Sequence, residues 1–254
     1  MKTKQRLTTL LTAAALSAGM AMAQTPMTIY TEDFGDATSN QPTTSVDWHW
    51  WYQGTEGTVQ TPIATMEART NPGLGGPGGF TGRALVAWGE GGNNAWETSN
   101  TFMFFDNSPT FDTSGGGSLI WSDLDEFSFV ANRGGSFAGT TRAVLQIGGT
   151  WYASEAQTFT TTVTTYEIDI QNTNWLAFTP GTSLALSGTG DTLANLNASG
   201  NLQGVGMWVN TTSGAGSNRQ WRVDDLEITA IPEPGTIVLV GIVLGSLLLF
   251  RRKK

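Results

Sequence analysis

The chain has 254 residues, a formal net charge of −8, a single histidine and no cysteine. No lysine stands between Lys4 and Lys253, which excludes a P-loop lysine, a Schiff-base lysine and a Ser-Lys dyad. Without cysteine, and with His49 alone, neither disulfides nor a zinc site of the usual ligand count can form.

The N-terminus is predicted to be a secretory signal peptide over residues 1–23. Basic residues open the chain, a mostly apolar run follows from 7 to 18, and small residues lead up to Ala23. These are the three parts that signal peptidase requires in a substrate. We therefore expect cleavage between Ala23 and Gln24 and export of the remaining chain.

The segment 24–230 is strongly acidic. It holds six of the 13 basic residues and 20 of the 21 acidic ones, so its formal charge is −14. A domain of this charge repels phosphate backbones and anionic lipid, which excludes nucleic acid as a partner and the membrane surface for the folded part. The acidity suits divalent cations or neutral partners.

Short runs of β character recur along this segment, separated by stretches rich in Gly, Asn, Ser and Thr. Nine runs are predicted strands: 27–34, 84–88, 101–105, 127–130, 143–147, 163–170, 175–178, 205–209 and 221–229. Long amphipathic helical patterns are missing. This spacing of strands and turns predicts one all-β domain, an antiparallel, jelly-roll-like β-sandwich.

All ten tryptophans lie in the predicted sandwich. Most are expected in the core, but aromatic rings can also stack on sugar faces when they are exposed. The candidates for a glycan platform are the aromatic residues beside polar, Gly-rich loops: Trp50, Trp51, Tyr52 and Trp96. His49 lies within the same aromatic run, and since no G-x-S-x-G elbow occurs it is interpreted as a strand residue and not as part of a triad.

Residues 167–171, Glu-Ile-Asp-Ile-Gln, place Glu167, Asp169 and Gln171 on one face of a strand. The pattern resembles the E-I-D-x-E strand of laminarinase-type retaining glycosidases, jelly rolls whose first Glu is the nucleophile and whose last Glu is the acid/base. Here Gln171 stands at the last position, and an amide cannot give and recover a proton at neutral pH. A polar sheet face is the preferred interpretation, and no catalytic residue is predicted.

Acidic residues stand at both ends of the predicted domain. Glu32 and Asp33 close its first strand, and Asp224 and Asp225 lie in its last strand, where the apolar residues change phase and predict a bulge. Opening with E-D-F and closing with V-D-D-L resembles carbohydrate-binding jelly rolls, whose terminal strands lie together and often share a structural calcium. The resemblance implies Ca²⁺ held by oxygens of these four residues, with ordinary solvated acids as the alternative.

The C-terminal segment 231–254 is predicted to be a sorting tail. Pro232, Glu233 and Pro234 come first, an uncharged stretch follows from 236 to 250, and four cations end the chain. This order resembles the PEP-CTERM signal of Gram-negative bacteria. The resemblance implies processing by the membrane protease-transpeptidase exosortase.

The stretch 236–250 is interpreted as a short transmembrane helix. Fifteen residues reach about 22 Å as a helix, against a hydrocarbon core of roughly 30 Å, which suits a transient inner-membrane anchor. The terminal cations remain cytoplasmic, so that 24–230 lies outside the cytoplasm. A simple C-terminal anchor is the alternative and has the same topology.

Three function classes remain. The preferred one is an exported, exosortase-sorted, non-enzymatic protein of the outer surface or extracellular matrix, associated with exopolysaccharide, because export signals are present and no catalytic set is complete. A carbohydrate-binding module is the second. A glycoside hydrolase or polysaccharide lyase is the third, since separated acids can pair in space.

Overall fold

Alternating apolar and polar residues build two antiparallel sheets in the computed structural model of the chain. It describes residues 25–34, 41–42, 47–53, 59–60, 68–70, 85–88, 100–113, 118–134, 138–181, 184–186, 188–211 and 220–231. The predicted signal peptide with its cleavage site, the sorting motif Pro232-Glu233-Pro234, the segment 236–250 and Trp96 lie outside these residues.

The first sheet has seven strands and contains both ends of the sandwich. Its strands are β1 (Met27–Glu32), β2 (Gln41–Pro42), β5 (Ala68–Thr70), β6 (Leu85–Trp88), β8 (Leu124–Gly134), β12 (Thr164–Asp169) and β15 (Gln220–Ala230). They are ordered β12-β8-β15-β6-β5-β2, and β1 also pairs with β15.

The second sheet has eight strands. They are β3 (Trp48–Gln53), β4 (Val59–Gln60), β7 (Asn100–Asp106), β9 (Gly139–Ile147), β10 (Thr150–Ser154), β11 (Gln157–Thr158), β13 (Trp175–Phe178) and β14 (Leu202–Thr211). Their order is β13-β10-β9-β14-β7-β3-β4, with β11 on β9. The described residues include one 3₁₀ turn, Trp121–Asp123, and no α-helix.

The core lies between the sheets and is rich in aromatic rings. Phe104 of the second sheet stacks on Trp221 of the first, with ring centroids 5.3 Å apart. Phe127 and Phe129 on β8 are fully buried in the same cluster. Because a chain without cysteine has no disulfide to stabilise it, this apolar burial supplies the main favourable term in folding.

The predicted all-β, antiparallel, jelly-roll-like sandwich is confirmed. Each of the nine predicted strands overlaps an observed strand. The predicted bulge is also present, because the register between β15 and β8 shifts between Asp224 and Glu227, and Asp225 has a φ of 48°. Six strands, β2, β3, β4, β5, β10 and β11, were not among the nine, although His49 on β3 was interpreted as a strand residue.

Met27–Ala230 form one compact unit by themselves. Within the part of the chain that the structure describes, no helix is long and apolar enough to cross a membrane.

Candidate functional site

The outward face of the eight-stranded sheet carries a second apolar cluster, separate from the core. On β7, Phe102 and Phe104 belong to the core, whereas Met103 and Phe105 belong to the second cluster, as the period of two in a strand requires. The members of the second cluster, named here the outer-face cluster, are Met103, Val144, Trp151, Ala153, Leu184 and Trp208, with Trp51, Phe105, Phe178 and Leu186 packed against them.

Strand register arranges this face in three rows across the sheet. The first row crosses four strands and holds Trp51, Met103, Trp208 and Arg142. The second holds His49, Phe105, Gly206, Val144 and Ala153. The third holds Gly204, Gln146, Trp151 and Phe178. With strands about 4.8 Å apart, a row of four strands spans about 14 Å and the row of five about 19 Å, which is enough to contact several units of an extended ligand.

Three rings make up the aromatic centre of the face. Trp51 stacks on Phe105 with centroids 4.4 Å apart and an interplanar angle of 22°. Trp151 meets both of them edge to face, at 5.8 Å from Phe105 and 6.4 Å from Trp51. Trp151 is only 8 % exposed, whereas Trp51 and Phe105 are half-buried. Parts of the Trp51 and Phe105 rings are therefore open to a ligand, and Trp151 supports them from one side.

Two glycines on β14 make room for this arrangement. A Cβ atom at Gly204 would lie 2.8 Å from Cη2 of Trp151 and 3.0 Å from Cβ of Gln146. A Cβ atom at Gly206 would lie 3.1 Å from Cβ of Phe105 and would collide with the carbonyl oxygen of Phe104. A larger residue at position 204 would therefore displace the Trp151 ring, and one at position 206 would push against the backbone of β7 at Phe104 and Phe105.

Residues 184–186 cover one side of the cluster. Nε1 of Trp208 donates a hydrogen bond to the carbonyl oxygen of Leu184 at 3.0 Å, and the backbone N–H of Leu184 donates to Oε1 of Gln53 at 2.5 Å. Leu184 is fully buried and Trp208 is 5 % exposed. Trp208 thus anchors this segment to the sheet and offers little of its own ring to a ligand.

Arg142 brings a positive charge to this face. Its guanidinium carbon lies 5.2 Å from the centroid of the Trp208 ring, within cation–π range, and Nη1 donates to the carbonyl oxygen of Ser154 at 2.6 Å. Burial lowers the pKa of Arg142, and the charge of Glu155 partly opposes that effect. The group stays protonated because an arginine side chain titrates far above neutral pH.

The four sequence-predicted glycan residues fall in different places. Trp51 belongs to the outer-face cluster, whereas Trp50 points into the core and is 4 % exposed. Tyr52 is described through its backbone, which pairs with Phe102 and Gln60, and Trp96 lies outside the described residues.

Sequence reasoning did not single out Trp151, Phe105 or Trp208 for this face. A signal for the first was available in the pair Gly148-Gly149. Both glycines have positive φ, 56° and 85°, as a two-residue hairpin turn requires, and they join β9 to β10, on which Trp151 lies.

The acidic residues at the two ends of the domain lie near one another because β1 pairs with β15, with Glu32 opposite Leu226. The pKa of Asp224 is raised to about 7, mainly by burial and in addition by the charges of Asp225, Asp33 and Glu32. Among the described residues, no group of three or more His, Cys, Asp or Glu side chains is arranged to hold a metal ion. The calcium site at these four residues stays a prediction.

Gln171, the residue at the acid/base position of the glycosidase-like strand, is held in a structural role. Its Nε2 donates to the carbonyl oxygens of Trp121 at 2.8 Å and Leu124 at 2.7 Å. Asp169 accepts hydrogen bonds from the backbone N–H groups of Gln171 and Asn172 and closes a turn after β12. Both side chains thus fix the chain at the end of a strand.

No family model matches the chain, and no curated protein matches it. Among solved structures it is similar to a family 11 carbohydrate-binding module from Clostridium thermocellum in complex with a β-1,3-1,4-mixed-linked tetrasaccharide, with 14 % identity, a TM-score of 0.42, and alignment over 80 % of this chain and 96 % of that one. It is also similar to the family 11 module of a cellulosomal cellulase of Clostridium thermocellum, with 14 % identity, a TM-score of 0.37, and coverage of 81 % and 95 %.

Proposed function

We propose that the sandwich binds carbohydrate on the outward face of the eight-stranded sheet, through the outer-face cluster. The observation that carries this proposal is the stacked pair of Trp51 and Phe105, two half-buried rings supported by Trp151 on an otherwise regular sheet face. Aromatic faces bury large apolar area at low conformational cost, and a pyranose offers a matching apolar face of C–H groups. Gln146, in the row next to Phe105, and Arg142 supply hydrogen-bond donors beside the rings.

The proposal includes a biological setting. The chain is exported, sorted by exosortase through the Pro232-Glu233-Pro234 tail, and acts without catalysis in the outer surface or extracellular matrix, associated with exopolysaccharide. Its support is the order of sequence signals at both ends. The proposal that the chain acts without catalysis is supported by Gln171. Its side-chain amide donates hydrogen bonds to two backbone carbonyl oxygens and stands where the glycosidase pattern has its acid/base.

Binding to the exopolysaccharide of the producing strain, together with a panel of neutral glucans, tests the carbohydrate proposal. The purified chain should bind at least one polymer, and Trp51→Ala should weaken that binding by about tenfold or more, because an aromatic ring that stacks on a flat ligand contributes on the order of 1–3 kcal/mol where the ligand is a nucleobase.

Trp121→Ala is the matched control for Trp51→Ala. Trp121 is also a half-buried tryptophan, but it lies in the 3₁₀ turn before β8, outside the outer-face cluster. Its loss should leave the affinity unchanged. Equal weakening by both substitutions, or no binding to any polymer of the panel, would contradict the proposal.

A further inference from the structure

Charged side chains are distributed unequally between the two outward faces of the sandwich. On the seven-stranded sheet, burial raises the pKa of Glu126, and the neighbouring charges of Glu167, Asp125, Glu227 and Asp169 act in the same direction. On the eight-stranded sheet, the outward positions of the described strands carry no carboxylate: Asp106 lies on the core side, where it accepts a hydrogen bond from Tyr30. Arg142 and His49 lie on that face instead. The nearest acid is Glu155, the residue after β10, whose charge acts on Arg142.

The guanidinium of Arg142 is only partly used by the protein. Among the described residues its one hydrogen bond is from Nη1 to the Ser154 carbonyl, and its Nε is buried without an acceptor. The guanidinium carbon lies 5.2 Å from the centroid of the Trp208 ring. That ring is itself fixed by its hydrogen bond to the Leu184 carbonyl oxygen. The remaining Nη donors are therefore presented in a fixed position beside the aromatic rows, although placing a cation there costs desolvation.

We infer that the glycan bound on this face carries a carboxylate, as a uronic acid residue does, and that Arg142 is the residue that recognises it. The inference rests on the proposed function and names its ligand class. A planar guanidinium binds a carboxylate with two parallel charge-assisted hydrogen bonds, which a hydroxymethyl group of a neutral sugar cannot reproduce. Trp51 and Phe105 supply the stacking surface and Arg142 the selectivity.

The formal charge of −14 over 24–230 does not oppose this choice. Two packed sheets are separated by about 10 Å. The acids Glu126, Glu167, Asp169 and Glu227 lie on the outward face of the seven-stranded sheet, on the opposite side of the sandwich from Arg142. Ionic screening at physiological salt acts over about 8 Å, so those acids are largely screened at the opposite face. The charge of Arg142 then determines that this face accepts an anionic ligand. The total charge of the domain, taken alone, would favour a neutral one.

Matched oligosaccharides that differ only at C6 test the inference: a β-1,4-linked oligoglucuronate against the cello-oligosaccharide of equal length, with two further pairs of different linkage. Calorimetry of the full chain should show about tenfold or tighter binding of one uronate over its neutral partner. Arg142→Gln should reduce uronate affinity to that of the neutral sugar, and Arg142→Lys should keep only part of the preference because it loses the planar fork.

Thr165→Glu is the control for net charge, since it also adds one negative unit but lies exposed on β12 of the other sheet. It should leave the uronate preference intact. Equal affinity of the wild type for each uronate and its neutral partner overturns the inference while leaving the proposed function standing. Failure of all pairs to bind, with Trp51→Ala indistinguishable from wild type, overturns both. The comparison of ligands on the wild type decides the matter even when Arg142→Gln does not fold.

Discussion

Asp224 couples the stability of the sandwich to pH. Its side chain is 5 % exposed, and burial raises its pKa from 3.8 to about 7, while the unfolded chain keeps the ordinary value. Between these values the folded state holds a proton that the unfolded state releases. The contribution of Asp224 to the free energy of unfolding should therefore fall as pH rises from about 4 to about 7, by up to about 1.4 kcal/mol per unit, and urea unfolding at several pH values measures it.

Two substitutions test whether Asp224 causes this pH dependence of the free energy of unfolding. Asp224→Asn should flatten it, because the amide does not titrate, whereas Glu167→Gln on the exposed row of β12 should preserve it. Burial also raises the pKa of Glu32 and of Asp106, and these groups act in the same direction. A wild-type stability that rises with pH over this range would show that Asp224 is charged in the folded state.

Binding of calcium, like protonation, would offset the negative charges of the acidic residues at the two ends of the domain. If Glu32, Asp33, Asp224 and Asp225 bind Ca²⁺ in the native state alone, a hundredfold excess over Kd adds about 2.7 kcal/mol and raises the melting temperature. Asp225→Ala should remove most of that gain and Asp169→Ala should not. Identical wild-type melting curves in calcium and in chelator would mean that these acids are solvated without a metal.

Gly204 is the residue on which the position of Trp151 depends. Gly204→Ala would place a Cβ 2.8 Å from the Trp151 ring and should weaken glycan binding, at a cost of about 1–3 kcal/mol in stability from overpacking. Gly181→Ala is the matched control, since a Cβ there meets nothing within 4 Å. Binding assays and thermal unfolding of both variants check this, and unchanged affinity in Gly204→Ala would mean that Trp151 does not contribute.

At the scale of elements, the segment 184–186 is attached to the sheet by a small number of bonds. Trp208→Phe removes the donor to the Leu184 carbonyl and leaves a buried acceptor unpaired, which costs about 1–3 kcal/mol. Hydrogen exchange of the Leu184 amide should become faster. Trp175→Phe loses an equivalent bond, Nε1 to the Ile170 carbonyl at 3.1 Å, and should lower global stability without this local effect. Equal protection of Leu184 in the two variants would contradict the assignment.

Strands in which apolar and polar residues alternate could be predicted from the sequence. Strands that are buried on both faces lack this alternation and were harder to predict. β10 was missed because Trp151 and Tyr152 are adjacent and both buried, one in each cluster, so that no alternation is visible. The same holds on β3, where Trp50 and Trp51 are neighbours of the same type on opposite faces. A run of aromatic residues does not reveal which of them faces outward, since that depends on register with β7.

The bulge at the acidic end of the last strand, in contrast, could be predicted from the sequence. The change of apolar phase at Asp224-Asp225 was sufficient to predict the bulge, because Val223 and Leu226 must both reach the core. The ligand chemistry of the outer face was not predictable in this way. Arg142 and Trp208 meet only through the register of β9 with β14, over a sequence separation that no local pattern spans.

At the scale of the whole chain, the sorting tail makes a prediction that does not depend on the sandwich. Cells that contain exosortase should process the chain near Pro232-Glu233-Pro234, because the tail has the order of motif, apolar stretch and basic cluster. Mass spectrometry of surface protein should find the C-terminus close to this motif, and a strain without exosortase should keep the tail. Intact residues 236–254 on all surface-exposed protein would contradict the prediction.

The position of β15 has a mechanical consequence. β8 pairs along one side of this strand, and β6 and β1 share the other side, so the strand that leads to residue 231 is bonded on both edges over most of its length. Consider a force applied between residue 231 and a polymer bound at the outer-face cluster. This force acts along β15 and loads many of its interstrand hydrogen bonds at the same time, in shear. A pull between residue 231 and the start of β1 opens the Met27–Ala230 pairing one bond at a time. The fold therefore resists tension between its C-terminal end and a bound polymer better than tension between its two ends.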